Sequence, residues 1–199
     1  TNGLVGYWDA GNSKSYPGSG TTWYDVSGNG NPGAMTGGIT YSSSVGGTLT
    51  FNVGTVTLTN TINLTGDFNI SWYENLSGSI DNNNTPCGGT TNGINHYLGY
   101  LRYYTGSFDA VVNTVPTSAG VWYYYSLNRI GTSWSIYTNG AVTATSTNSA
   151  VAVPIVYLAK AATVAYLAGS MSLMKIYNRG LTDTEVLQNY NAMRGRFGL

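Results

Sequence analysis

Residues 68–72 read Phe-Asn-Ile-Ser-Trp, and this strict alternation of large apolar with small polar side chains constrains the fold most. Period two puts Phe68, Ile70 and Trp72 on one face of a strand and Asn69 and Ser71 on the other. Such a strand belongs in an antiparallel sheet with one face buried. Asn139-Gly140 lies between two β-rich runs, 134–138 and 141–146. Both residues accept positive φ, so the pair predicts a tight hairpin turn. A Tyr-dense run, 121–129, precedes that hairpin. Further strands are expected at 4–8, 49–51, 56–58, 97–104, 108–112, 155–159 and 170–177. Loops are expected at 11–22, 27–38, 77–91 and 143–150. Many short strands with turn signals between them predict an all-β, two-sheet antiparallel sandwich. No internal repeat or linker divides the chain, so one domain over 1–199 is expected.

One helix stands out. Thr182-Asp183-Thr184-Glu185 reads as a capping box, in which hydroxyl and carboxylate satisfy first-turn amides. Val186, Leu187, Tyr190 and Met193 follow at helical spacing and predict one face packed on the sandwich. Arg194 and Arg196 suit the negative end of the helix dipole.

Charge narrows the function classes. The 199 residues carry 8 basic and 8 acidic side chains and no net charge. Nothing here attracts nucleic-acid phosphates or anionic lipid, so neither is expected as a partner. No apolar run approaches the roughly 18 residues that membrane insertion needs. Cys87 and His96 are each the only residue of their type, which excludes an internal disulfide and a multi-histidine metal centre. The chain starts at Thr1 without Met or a signal-like segment, so it is expected to be processed or part of something longer.

Catalytic constellations are sparse. Glycoside hydrolysis needs two carboxyl groups about 5 to 10 Å apart. The two glutamates are Glu74 and Glu185; the capping box accounts for the second. Glu74 with Asp67 or Asp109 is the one remaining pairing. Cys87 and His96 are expected as a small loop thiol and a surface histidine, with nothing local to activate the thiol. Gly28-Asn29-Gly30-Asn31-Pro32-Gly33 matches a nucleotide fingerprint in letters only, since Pro32 and the residues after it start no helix. Sequons at Asn63, Asn69, Asn75 and Asn83 arise readily in an Asn- and Thr-rich chain. The expectation is a protein that is not an enzyme.

Two binding chemistries remain. Asp9 with Asn12 and Asp25 with Asn29 offer oxygens that could ligate Ca2+, the candidate metal; alternatively they lock tight turns by bonding their own backbones. Tyrosine is in excess at Tyr97, Tyr100, Tyr103 and Tyr104 and at Tyr123, Tyr124 and Tyr125. Alternation turns some of the second group outward. Exposed Tyr stacks on sugar or anchors protein contacts, so Tyr97, Tyr100, Tyr103, Tyr123 and Tyr125 are the candidate glycan- or partner-binding residues.

Four segments in order resemble the laminin-G-like, concanavalin-A-like family. They are Leu4-Val5-Gly6-Tyr7-Trp8-Asp9-Ala10-Gly11-Asn12, Trp23-Tyr24-Asp25-Val26-Ser27-Gly28-Asn29-Gly30-Asn31, Trp134-Ser135-Ile136-Tyr137-Thr138-Asn139-Gly140, and Ile176-Tyr177-Asn178-Arg179-Gly180-Leu181-Thr182. The ending from Gln188 to Gly198 is similar to tailed-bacteriophage virion proteins. The resemblance implies a jelly roll of two curved sheets with one short C-terminal helix. It implies a tail-fibre or capsid-decoration module at the virion surface, hence extracellular. Its implied partners are other virion proteins or copies of itself, and a cell-surface glycan. A dedicated lectin is the alternative it implies. The glucanase branch of that fold carries E-x-D-x-E on one strand, a triplet missing from this sequence.

Overall fold

The computed structural model describes residues 2–78, 82–149, 151–161 and 165–199. The strands are β1 (Leu4–Asp9), β2 (Thr22–Trp23), β3 (Gly33–Ser42), β4 (Thr48–Leu64), β5 (Phe68–Leu76), β6 (Asn82–Gly88), β7 (Gly93–Tyr97) and β8 (Tyr100–Tyr104). They continue as β9 (Asp109–Pro116), β10 (Trp122–Ile130), β11 (Ser133–Thr138), β12 (Ala141–Thr147), β13 (Val153–Leu158), β14 (Lys160–Ala161), β15 (Ala165–Tyr166) and β16 (Gly169–Tyr177). Helix α1 spans Asp183–Asn191. The result is the expected all-β antiparallel sandwich with one short C-terminal helix.

One layer runs β12-β11-β10-β5-β16, with β1 and the start of β4 both paired to β16. The other runs β3-β4-β13-β6-β7-β8-β9. Strand β4 belongs to both layers. Its residues 49–51 pair with β16 and its far half pairs with β13, so the two expected strands at 49–51 and 56–58 are one. At the opposite end the edges of β9 and β12 are tied by side chains. Thr114 donates to the Thr143 carbonyl at 2.6 Å and Asn148 to the Ala110 carbonyl at 2.5 Å.

Phe68, Ile70 and Trp72 do face the core between the layers, with Trp8, Trp23, Tyr103, Tyr125 and Trp134. The expected exposed face of β5 is covered instead. Asn69, Ser71 and Tyr73 are fully buried, because α1 and the C-terminal tail lie over β5, β10 and β16. Phe197 stacks on Tyr73 with centroids 4.3 Å apart, and the Tyr73 hydroxyl donates to the Tyr190 carbonyl at 2.7 Å. A buried Asn69 amide needs partners, and it donates to Ser126 and Asn128.

The capping box is present: Glu185 N–H donates to the Thr182 hydroxyl, and Thr182 N–H to the Glu185 carboxylate. Of the four residues expected on the packing face, Val186 is buried and Tyr190 and Met193 pack beside it, whereas Leu187 is exposed. Arg196 does more than suit a dipole: it reaches the Asp9 carboxylate, the Gly46 carbonyl and the Ser172 hydroxyl, tying the tail to the first strand. The Asn139-Gly140 turn has φ of 51° and 83°, the double positive φ its sequence demands.

Three loop expectations are revised. Strand β3 begins inside 27–38, β12 extends to Thr147, and β6 runs through the Asn-rich part of 77–91. Residues 79–81 and 150 of those spans lie outside the described residues. The expected strand 97–104 is two strands, broken at Leu98-Gly99, where both residues have positive φ.

Candidate binding face

Strands β7, β8 and β9 form two consecutive hairpins at one end of the second layer, and their register decides which side chains share a face. Asn95 pairs with Arg102, Tyr97 with Tyr100, and Arg102 with Val112. Paired residues project to the same side, so Asn95, Tyr97, Tyr100, Arg102, Tyr104 and Val112 form the outer face. Ile94, His96, Leu101 and Tyr103 form the inner one and are buried.

Arg102 organises the outer face. Its guanidinium lies 4.1 Å from the Tyr97 ring centroid and 5.1 Å from that of Tyr104. Its Nη1 donates to both Asp109 oxygens, at 2.9 and 3.1 Å, and its Nε to Asn95 Oδ1 at 2.9 Å. The Tyr97 and Tyr104 rings are thereby held in place; Tyr97 is still 43% exposed, and Tyr100, paired with it across the hairpin, is 38% exposed. Leu98, Phe108 and Val115, on the same three strands and their turns, are exposed as well. Rigid aromatic area beside branched aliphatics is what a docking surface offers at low entropic cost.

Of the five tyrosines named from sequence, Tyr97 and Tyr100 therefore lie on this face. The others do not. Tyr103 is buried on the inner side of β8, stacked on Trp134 at 5.3 Å. Tyr125 is fully buried, and its hydroxyl meets Thr117 at 2.7 Å. Tyr123 is half-buried against Tyr125 and accepts a hydrogen bond from Ser118 N–H. The tyrosine turned outward on β10 is Tyr124, and the helix covers it. The sequence expectation omits Arg102 and Asp109 from this face; the signal that points to Arg102 is its shared parity with Tyr100 and Tyr104.

The Asp and Asn residues proposed as Ca2+ ligands are engaged in turns. Asp25 accepts from Tyr7 N–H, Ser27 N–H, the Ser27 hydroxyl and Asn31 N–H, all within 3.1 Å. Asn29 donates to the Leu4 carbonyl, and Asn12 accepts from Lys14 N–H. Asp9 accepts from Gly11 N–H, the Tyr7 hydroxyl and Arg196. Such donor-saturated carboxylates lock loops, and Arg196 already supplies a cation to Asp9. Among the described residues no group of three or more His, Cys, Asp or Glu side chains is placed to hold a metal ion.

The carboxylates considered for hydrolysis are dispersed. Asp67 immediately precedes β5 and Glu74 lies near its far end, about 23 Å away at the rise of a strand. Asp67 accepts from Gly131 N–H. Asp109 is on the outer face with Arg102, whereas Glu74 points into the core. Glu74 and His96 are both 0% exposed and form a cross-layer pair at 2.6 Å. His96 Nδ1 meets the Thr117 hydroxyl at 3.1 Å, extending the chain to Tyr125. Neither the surface His nor the loop thiol of the sequence reading holds. Cys87 is buried in β6, and burial, with the Glu74 carboxylate nearby, pushes its thiol pKa up, so it stays protonated. Asn69, in a sequon, is buried and inaccessible to a glycosylating enzyme.

No protein-family model and no curated protein matches the chain. Solved structures do. Domain 4 of AbnA, a GH43 extracellular arabinanase from Geobacillus stearothermophilus, in complex with arabinotriose, superposes with a TM-score of 0.72 at 16% identity, covering 93% of this chain and 97% of that one. The binding domain of Paraclostridial Mosquitocidal Protein 1 gives 0.67 at 14% identity, covering 96% of this chain and 52% of that one. Trypanosoma rangeli sialidase gives 0.67 at 16% identity, and this chain spans 33% of its length. The likeness at these identities is one of fold: the chain shares an antiparallel β-sandwich with a domain seen with bound arabinotriose and with a toxin's binding domain.

Proposed function

We propose that this chain is a non-catalytic binding module of a bacteriophage virion surface, a tail-fibre or capsid-decoration component. It docks on neighbouring virion proteins through the outer face of β7–β9 and adheres to host glycan. One observation carries the docking assignment: Tyr97 and Tyr100 stay exposed on a scaffold that Arg102 and Asp109 hold rigid. Leu98 and Val112 add exposed branched aliphatic area beside the two rings, and burying it against a protein partner is favourable. The burial of Glu74 and the dispersal of Asp67 and Asp109 support a module without hydrolytic chemistry. Extracellular placement on the particle rests on the resemblance of the C-terminal segment to tailed-phage proteins.

A glycan-binding role is supported by the arabinotriose-bound domain of the same fold. Co-sedimentation with particles lacking the chain tests the docking assignment. Wild type should bind saturably, and the Tyr97→Ala/Tyr100→Ala variant should lose binding with an unchanged Tm. Equal binding by the variant would refute it.

A further inference from the structure

On the far side of the molecule from β7–β9, the N-terminal half of α1 stands off the outer face of β10–β12 and leaves a groove. It consists of two cups of about 460 and 300 Å3 that share Tyr137, Asp183 and Thr184. Together they fall in the size range of small-ligand sites, about 300 to 1,000 Å3. We propose that this groove is the glycan site and that it takes a neutral oligosaccharide. The inference deepens the glycan-binding part of the proposed function and rests on it; the docking face stands separately.

The walls are fixed before any ligand arrives. Asn128 accepts from Leu181 N–H at 2.9 Å and donates to the Leu181 carbonyl at 3.0 Å, pinning the segment that leads into α1 onto β10. The Tyr137 hydroxyl donates to Asp183 at 2.6 Å and bridges sheet to helix between the two cups. Gly140 lets Leu187 and Tyr190 close over the hairpin turn, since a Cβ there would lie 2.7 Å from the Tyr190 ring. A site rigid in its unbound form spends little binding free energy on ordering itself.

The lining chemistry selects the ligand. Ser133, Ser135 and Tyr137 alternate along β11 and so project to one side, into the groove. The hydroxyls of Ser133, Ser135 and Thr184 have no intramolecular hydrogen-bond partner among the described residues, so each can donate to and accept from a sugar hydroxyl. Ile130, Val142 and Leu187, each about half exposed, border the same groove and suit the C–H faces of sugar rings. Among the described residues lining both cups, Asp183 is the only charged one. With no cation to meet it, a sialic or uronic acid carboxylate would face Asp183 unpaired, so acidic glycans are disfavoured.

Amide NMR titration of the full chain tests this, using arabinotriose, maltotriose and cellotriose, with sialyllactose as the acidic control. At least one neutral trisaccharide should shift the amides of Ser133, Ser135, Asp183 and Thr184 and saturate in the millimolar range or below. Thr184→Trp, at an exposed helix position shared by both cups, should weaken that binding about tenfold or more with an unchanged Tm. Ser133→Trp, on an exposed strand position, repeats the test from the opposite wall. Shifts confined to β7–β9 would overturn the groove and relocate glycan to the docking face. Unaltered affinity in both variants, or a preference for sialyllactose, would also overturn it. Silence from every sugar would remove glycan binding while leaving the docking face to its own co-sedimentation test.

Discussion

Replacing His96 with alanine should destabilise the sandwich out of proportion to the few atoms removed. His96 on β7 and Glu74 on β5 meet at 2.6 Å between the two layers, both wholly shielded from water. In wild type Glu74 Oε1 has its partner, whereas Oε2 has none among the described residues. His96→Ala would leave a carboxyl group with neither oxygen hydrogen-bonded, and would leave the Thr117 hydroxyl with Tyr125 as its one remaining partner among the described residues. Removing one member of a buried pair costs about 3–5 kcal/mol, against a total stability of about 5–15 kcal/mol for a typical domain. Replacing both with apolar residues, Glu74→Leu/His96→Leu, removes the buried polar groups together and should cost far less than the sum of the single changes. Urea unfolding followed by tryptophan fluorescence gives the three free energies. A His96→Ala loss below about 1 kcal/mol, the range of exposed ion pairs, would show that the pair is hydrated and that Glu74 is open to solvent. That result would also reopen Glu74 as a chemical group.

Other expectations concern the helix, the tail and the loops. Thr182→Ala should cost about 1 kcal/mol through loss of the cap. The Arg179 guanidinium and the Thr182 N–H hold the Glu185 pKa down at about 2; because the folded value is depressed, this contribution is complete above pH 4.5 and fades as pH falls toward 2. The stability difference between wild type and Glu185→Gln should therefore shrink over that interval, and a difference that grows would contradict the assignment. Phe197→Ala should cost about 3 kcal/mol, because its ring stacks on Tyr73 and touches Trp122; urea titration checks it, and a change within error would mean that the tail is undocked. Asp25→Ala should lower stability by about 2–3 kcal/mol through four lost acceptor contacts, while EDTA leaves the wild-type Tm unchanged; a Tm drop in EDTA would restore Ca2+ to this loop.

Local signals in the sequence carried far, and failures came where the fold is non-local. Alternation at Phe68, Ile70 and Trp72, the Asn139-Gly140 turn and the Thr182 capping box each depend on neighbours a few residues away, and each is present as read. Periodicity does not report what covers a face, so the burial of Asn69, Ser71 and Tyr73 under a tail more than 100 residues later was not visible. The Glu74–His96 contact crosses between layers and leaves no spacing signature. Asn-Asn-Asn-Thr-Pro in β6 has low strand propensity and predicts a loop, which pairing with β7 and β13 overrides. For Tyr103 and Tyr125 parity was legible but its sign was not: tyrosines occur on both faces of their strands, and only the packed sandwich tells inside from outside.

The central claim, docking through the outer face of β7–β9, is tested most directly by site-specific photo-crosslinking on the assembled particle. A benzophenone amino acid placed at position 97 should form a covalent adduct with a neighbouring virion protein on irradiation. The same probe at position 24, where Tyr24 is exposed elsewhere on the molecule, should form none. Adducts from position 24 with none from position 97 would contradict the account.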